Sequence, residues 1–272
     1  MPKILIVKAS GEVEAFDPSK VHRALMRAGA EEALADEIVG QVASRVKAGM
    51  TTQQIFSMTF NLLNKERPAL ASRFDLKGAI FRLGPAGYAF EQFVAELLRS
   101  MGYECETSKI LYGRCVKHET DVIAQKPGER AMIECKFHNQ AGVRCHVQTT
   151  LYTFARFLDL TEGKEKFTEP WLVTNTKFTD DAVDYAQCRG IKLMGWSYPI
   201  KGSLEYLIDS NKEYPITILQ TLDNLSRERL LNAKIVTIKQ LNALTEQKLA
   251  SKTGIAARKA AELKQEAAAL QE

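Results

Sequence analysis

Residues 118–136 read HETDVIAQKPGERAMIECK, and their patterning decides the fold class. The stretches on either side of Lys126-Pro127-Gly128-Glu129 read as two strands joined by a turn, because a Pro-Gly pair punctuates two runs rich in β-branched and apolar residues. With the turn centred between Pro127 and Gly128, cross-strand partners have numbers that sum to 255, which sets Asp121 opposite Glu134. Side chains alternate along a strand, so Lys136 shares the face of Glu134 while Val122 and Cys135 point the other way. Two carboxylates side by side on a sheet repel, and a divalent cation, a shared proton or Lys136 would relieve them. Mg²⁺ takes carboxylate oxygens, keeps its waters and bridges to phosphate, and a neighbouring lysine can orient or deprotonate an attacking water. The set points to phosphodiester hydrolysis; the plain alternative is a surface Asp–Lys–Glu cluster on an ordinary hairpin.

Outward from the hairpin, a helix over about 87–101 carries the apolar stripe Phe90, Phe93, Val94, Leu97 and Leu98. Strands are expected at 109–116, 119–124 and 131–137, then a helix over about 143–160 with Val147, Leu151, Phe154 and Leu158 on one stripe. Trp171–Asn175, a helix capped at Thr179 and the strand 191–194 form a strand–helix–strand unit, which implies a parallel pair and a right-handed crossover. Hairpin and crossover together give a mixed sheet flanked by helices. Gln148 and Tyr152, four residues apart, share a helix stripe that can reach over the carboxylates.

This pattern, D-x12-E-C-K followed by Q-T-T-L-Y, resembles the PD-(D/E)xK nuclease superfamily and, within it, the Mrr-type restriction endonuclease catalytic domain. Gly87-Tyr-Ala-Phe-Glu91, His118-Glu-Thr-Asp121 and the later W-L-V-T-N and F-T-D-D-A stretches add to the resemblance, which covers about residues 87–197; Thr120 stands where the superfamily's name has proline. The resemblance implies Asp121 and Glu134 as metal ligands with the Cys135 carbonyl, and Lys136 activating or orienting water. It also implies Gln148 positioning that water or a phosphate, Glu91 as an outer or second-metal carboxylate, and Tyr152 as accessory. Mg²⁺ or Mn²⁺ is the implied cofactor and DNA the implied substrate.

The amino-terminal segment opens with a hairpin, KILIV and EVEAF around Ser10-Gly11. Asp17-Pro18 caps a helix bearing Val21, Leu25 and Ala28, and Gly29 ends it. Helical patterns follow at about 34–47 and 52–63, then a polar Pro-bearing stretch, Ala79-Ile80-Phe81, and a boundary at Gly84-Pro85-Ala86-Gly87. Lys8 on a strand and Lys20 in a first helical turn can meet phosphates near the positive helix end. Val7-Lys8-Ala9-Ser10-Gly11 and Phe16-Asp17-Pro18-Ser19-Lys20-Val21-His22-Arg23 resemble the ATP-cone, with Ala9 and Ser10 where that family usually has Arg and Asp. The resemblance implies contacts from Lys8, Gly11, Lys20, His22 and Arg23 to ATP or dATP as an effector.

After a linker-like Asp209–Pro215, short helices are expected at 226–233, 237–244, 246–251 and 256–270. Residues 226–272 hold nine Lys/Arg against five Glu, the whole of the chain's net charge of +4, which raises the expectation of a polyanionic partner. The tail resembles helix–hairpin–helix DNA-binding modules, in which Lys252, Thr253, Gly254, Arg258 and Lys259 would hold backbone phosphates; similar helical modules also bind proteins.

The composition, 45% apolar and 26% charged over 272 residues, excludes bulk disorder and fibrous repeats. No apolar run is long enough to span a membrane, and five cysteines without a C-x-x-C pair favour free thiols, so a cytoplasmic location is expected. Strand alternation splits Cys135 from His138, which disfavours zinc. The expected architecture is α/β: a small α/β ATP-cone at 1–86, a restriction-endonuclease-like mixed sheet at 87–208, and a linker with a small all-α module at 209–272. The expected function is a metal-dependent DNA endonuclease under ATP or dATP control, in restriction, defence or repair, acting as a homo-oligomer because one site per chain cuts one strand. The alternatives are a catalytically inactive, nucleotide-responsive DNA-binding or scaffold protein, and a repressor-like regulator.

Overall fold

The computed structural model describes residues 4–85 and 87–271, so the boundary residue Ala86 lies outside the described residues. The amino-terminal hairpin pairs β1 (Leu5–Val7) antiparallel with β2 (Val13–Ala15), and Gly11 supplies the positive φ of +84° that the turn needs. Asp17 caps α1 (Pro18–Arg27) by accepting the Ser19 amide at 2.9 Å. α2 (Glu32–Ala43) and α3 (Thr52–Glu66) follow, the latter opened by a Thr51–Gln54 capping box. The polar Pro-bearing stretch is not irregular: it forms α4 (Pro68–Phe74), with proline at its start, and α5 (Leu76–Phe81). Leu25, Ile38, Val42 and Leu63 centre this domain's core.

α6 (Gly87–Ser100) leads into a five-stranded sheet of order β3-β4-β5-β7-β9. β3 (Glu104–Tyr112), β4 (Lys117–Lys126) and β5 (Glu129–Lys136) form an antiparallel meander. The first strand starts five residues earlier than its apolar run suggests, and Gly113–Val116 is a turn held by the Asp159 carboxylate, which accepts the Cys115 amide at 2.7 Å and the Val116 amide at 3.3 Å. After β6 (Arg144–Cys145) comes α7 (Val147–Glu162), which begins at 147 rather than 143. β7 (Glu169–Thr174) lies parallel to β5; β8 (Lys177–Phe178) pairs parallel with β6; α8 (Asp180–Arg189) crosses to β9 (Lys192–Met194), parallel to β7. The expected register holds: Val122 faces Ile133 and Lys126 faces Glu129. α6 packs on the face carrying Val122, Ala124, Ala131 and Ile133, while Ile123 and Met132 pack with Leu160 of α7 on the other.

The stretch read as a linker is structured. α9 (Leu204–Asn211), capped by Ser203, precedes a 3-10 turn at Ile216–Ile218, and Tyr214, Ile216 and Ile218 are buried. α10 (Asn224–Asn232), α11 (Ile238–Asn242), α12 (Glu246–Thr253) and α13 (Ala257–Ala269) complete the chain. One apolar core runs from Leu76 through the sheet to Leu270, so these helices share the interior of the nuclease-like domain. The polar letters of 209–213 concealed this. The Thr217 hydroxyl donates to the Ala79 carbonyl at 2.6 Å, and the Gln220 side-chain amide donates to Asn64, Pro68 and Ser72 at 2.9–3.2 Å.

Candidate active site

Asp121 and Glu134 lie just past Val122 and Ile133, where the β4–β5 pairing ends, and stand close enough for the Asp121 charge to act on Glu134. One Asp121 oxygen accepts the Cys135 amide at 2.7 Å, fixing the carboxylate against β5. Glu134 is held by Arg156, whose guanidinium also donates to the Glu119 carbonyl at 2.8 Å and to the Tyr152 hydroxyl at 2.7 Å. Both members of this ion pair are largely buried, with side chains 11% and 15% exposed. Arg156 was not among the expected site residues. The signal was in the sequence: 148, 152 and 156 step by four along one helix stripe. Tyr152 therefore joins the carboxylates through Arg156, while Gln148, exposed on the first turn of α7, enters none of these hydrogen bonds.

Burial, reinforced by Asp121, Glu119 and Glu134, pushes Glu91 up to about 7. Burial and then Asp121 push Glu134 to about 7 against the opposing charges of Arg156 and Lys136. Asp121 is raised by burial despite the amide it accepts. Glu91 and Glu134 thus hold protons near neutrality, and Asp121 is raised above its ordinary range, because their negative charges stand close together in a poorly solvated place. Burial drives the Cys135 thiol well above its ordinary range, leaving it unreactive. Lys136 is exposed at the strand end, close enough to oppose the shifts of Asp121 and Glu134. Among the described residues no three His, Cys, Asp or Glu side chains close into a metal-binding group. The hard oxygen pair Asp121 and Glu134, with a main-chain carbonyl beside it, suits a cation such as Mg²⁺ that keeps most of its waters. The His118 ring bonds Asp159 at 2.7 Å, and Phe137 packs against Phe81 and Phe90.

In the amino-terminal domain Lys8 pairs with Glu12 at 3.3 Å and Glu14 at 3.1 Å, and Lys20 pairs with Glu14 at 3.0 Å. Gly11 lies in the hairpin turn, Arg23 is exposed, and His22 turns away to Asp36 at 3.2 Å. Beside Lys20 an apolar cavity of about 180 Å³ is lined by Phe16, Val21, Ile55, Phe56 and Phe74. In the tail Lys252, Gly254 and Arg258 are exposed, and Gly254 has φ +69°. The Thr253 hydroxyl donates to the Leu249 carbonyl at 2.6 Å, and Lys259 is engaged by the Thr221 carbonyl at 2.5 Å and Glu262 at 3.0 Å. Those two side chains serve the fold.

An uncharacterized protein of Archaeoglobus fulgidus is 46% identical over 174 residues, 64% of this chain and 97% of that protein, and residues 214–271 match the family described as AF1548-like, C-terminal. The chain belongs to the AF1548-like family. This AF1548-like protein also matches the Mrr-type restriction endonuclease domain over residues 85–196 and the ATP cone domain over 4–74. A solved structure, titled as that of the protein of unknown function AF1548, superposes with a TM-score of 0.61 at 45% identity, covering 67% of this chain and 97% of that one. A protein named transcriptional repressor NrdR from a Picosynechococcus species is 34% identical over 79 residues, 26% of this chain and 44% of that protein. The AF1548-like protein therefore joins an ATP-cone to a restriction-endonuclease-like domain, with an AF1548-like helical module at the C-terminal end. Among the described residues, no helix is long and apolar enough to cross a membrane.

Proposed function

We propose that the AF1548-like protein is a divalent-metal-dependent DNA endonuclease controlled by ATP or dATP. The observation that carries this reading is the proximity of Asp121 and Glu134 at the open end of the β4–β5 hairpin, both with raised proton affinity, next to Lys136. Asp121, Glu134 and the Cys135 carbonyl would hold Mg²⁺ or Mn²⁺, which when bound neutralises phosphate charge and acidifies water. Lys136 orients the attacking water through its Nζ, and Gln148 positions that water or a phosphate oxygen. Glu91, held near neutrality, exchanges a proton with solvent at the site. Arg156 and Tyr152 keep Glu134 in place. Lys8, Gly11 and Lys20, with His22 and Arg23 at the margin, serve nucleotide in the cone. Lys252 and Arg258 hold backbone phosphates in the tail, while Thr253, Lys259 and Gly254, whose amide donates to the Ala250 carbonyl at 2.7 Å, shape that connection. Two copies cut the two strands.

A second reading, a catalytically silent nucleotide-responsive DNA-binding scaffold, draws on Arg156 occupying Glu134 and on the lack of a closed three-ligand group among the described residues. Plasmid and linear DNA incubated with Mg²⁺ or Mn²⁺, with and without ATP or dATP, separate the two. Metal-dependent cutting that Lys136→Ala abolishes is the expected result. DNA binding without cutting, together with no Mg²⁺ binding by calorimetry, would favour the scaffold.

A further inference from the structure

Between the cone and the nuclease-like domain lies a polar cavity of about 770 Å³ walled by both. Its cations are Lys8 and Lys20 from the cone, Lys77 from α5, and Arg144 and Lys177 from the β6–β8 pair, against the two carboxylates Glu12 and Glu14. Those carboxylates already pair with Lys8 and Lys20. The surplus positive charge therefore sits on Lys77, Arg144 and Lys177, none of which forms an ion pair with another described residue. Arg144 and Lys177 are cross-strand partners on adjacent parallel strands, an unfavourable pairing of like charges; Asp180 and Asp184 line a neighbouring cavity with them but come within ion-pair distance of neither. Lys77 holds its proton less tightly than an ordinary lysine, through burial and then the charge of Lys177. The segment before β6 reaches the cone hairpin, for a Cβ on Gly142 would stand 3.9 Å from the backbone of Ala9 and Ser10.

The polar cavity borders the apolar one beneath the cone hairpin: Glu14, Lys20 and Thr52 line both. An apolar slot beside a cationic chamber fits a ligand with a flat aromatic head and a polyanionic tail. We propose that the two cavities form one nucleotide site shared between domains, with the base among Phe16, Phe56 and Phe74 and the phosphates bound by Lys77, Arg144 and Lys177. This rests on the reading that the cone takes a nucleotide, and assigns the phosphates to residues outside the cone. It also supplies a route for control. Arg144 lies three residues before α7, the helix that carries Gln148, Tyr152 and Arg156, so a phosphate on Arg144 fixes the segment from which the active-site helix starts.

The test is calorimetric titration of the full chain with ATP, and with inorganic tripolyphosphate as competitor, comparing the unaltered protein, Arg144→Ala/Lys177→Ala and Arg144→Lys/Lys177→Arg. Both side chains are exposed. The alanine pair is expected to weaken ATP binding by roughly tenfold or more and to abolish competition by tripolyphosphate, while the charge-preserving pair retains most of the affinity. Unchanged ATP affinity in the alanine pair overturns the shared site while leaving nucleotide binding by the cone intact. No ATP binding by the unaltered protein overturns both. Loss of duplex DNA binding with ATP affinity unchanged assigns these cations to DNA and overturns the proposal.

Discussion

Arg156→Met tests whether Glu134 depends on Arg156 for its charged form. The two side chains are 11% and 15% exposed, so little solvent screens them. Removing one partner of a buried pair costs roughly 3–5 kcal/mol, and the residual exposure argues for about 3. The guanidinium also holds Tyr152 and the Glu119 carbonyl, so the single substitution overstates the pair. A cycle of Arg156→Met, Glu134→Gln and the double variant isolates it. The pair should be pH-sensitive. The Glu134 carboxyl is raised from an ordinary 4.5 to about 7, so its protonated form favours folding, and stability is full below the ordinary value and lost as pH rises through about 7. Without Arg156 that loss steepens; with Gln at 134 it vanishes. Urea denaturation followed by circular dichroism should give a coupling of about 2 kcal/mol at pH 8, falling below about 1 kcal/mol at pH 5. Equal coupling at both pH values, or less than about 1 kcal/mol at pH 8, would refute the reasoning.

Three further outcomes follow from local geometry. Gly163→Ala would drive a Cβ to 2.9 Å from the Tyr112 carbonyl oxygen and the Gly113 carbonyl carbon, backbone that cannot yield cheaply, and thermal melts should register a loss of about 1–3 kcal/mol. Asp159, held down to about 2 first by His118 and then by the amides of Cys115 and Val116, contributes stability present above its ordinary 3.8 and lost as pH falls through about 2. Asp159→Asn should flatten that acid limb and speed hydrogen exchange at residues 115 and 116. Burial pushes Asp209 from 3.8 to about 6, so stability falls as pH rises through that window; Asp209→Asn should gain on the unaltered protein from pH 4 to 7, and a constant difference across a pH series of melts would count against it.

The hairpin was legible because its register needs only strand alternation and a Pro-Gly turn, both local, and the expectation that Asp121 and Glu134 come close was read from it. Arg156 was not singled out because an arginine on a helix reads as a solvated face until the strand end beneath it is known. α4 and α9, seven and eight residues long, carry too few turns for a periodic signal, and their burial is set by partners distant in sequence. The tail shows the same limit in charge: Lys259 counts as a free cation in the sequence, yet Thr221 and Glu262 hold it in the fold.

The core shared by α5, α6 and the last four helices has a consequence for the order of synthesis. The apolar face of α6 is made early, but Ile216, Ile218, Leu263 and Leu270, which complete the same core, are made more than a hundred residues later. At roughly 5–20 residues per second, that face waits on the order of ten seconds on the ribosome. Arg73 of α4 donates to the Leu270 carbonyl at 2.7 Å, so this contact joins α4 to a residue made nearly two hundred positions later. That apolar surface depends on whatever shields it in the cell until the helices through Leu270 have been made.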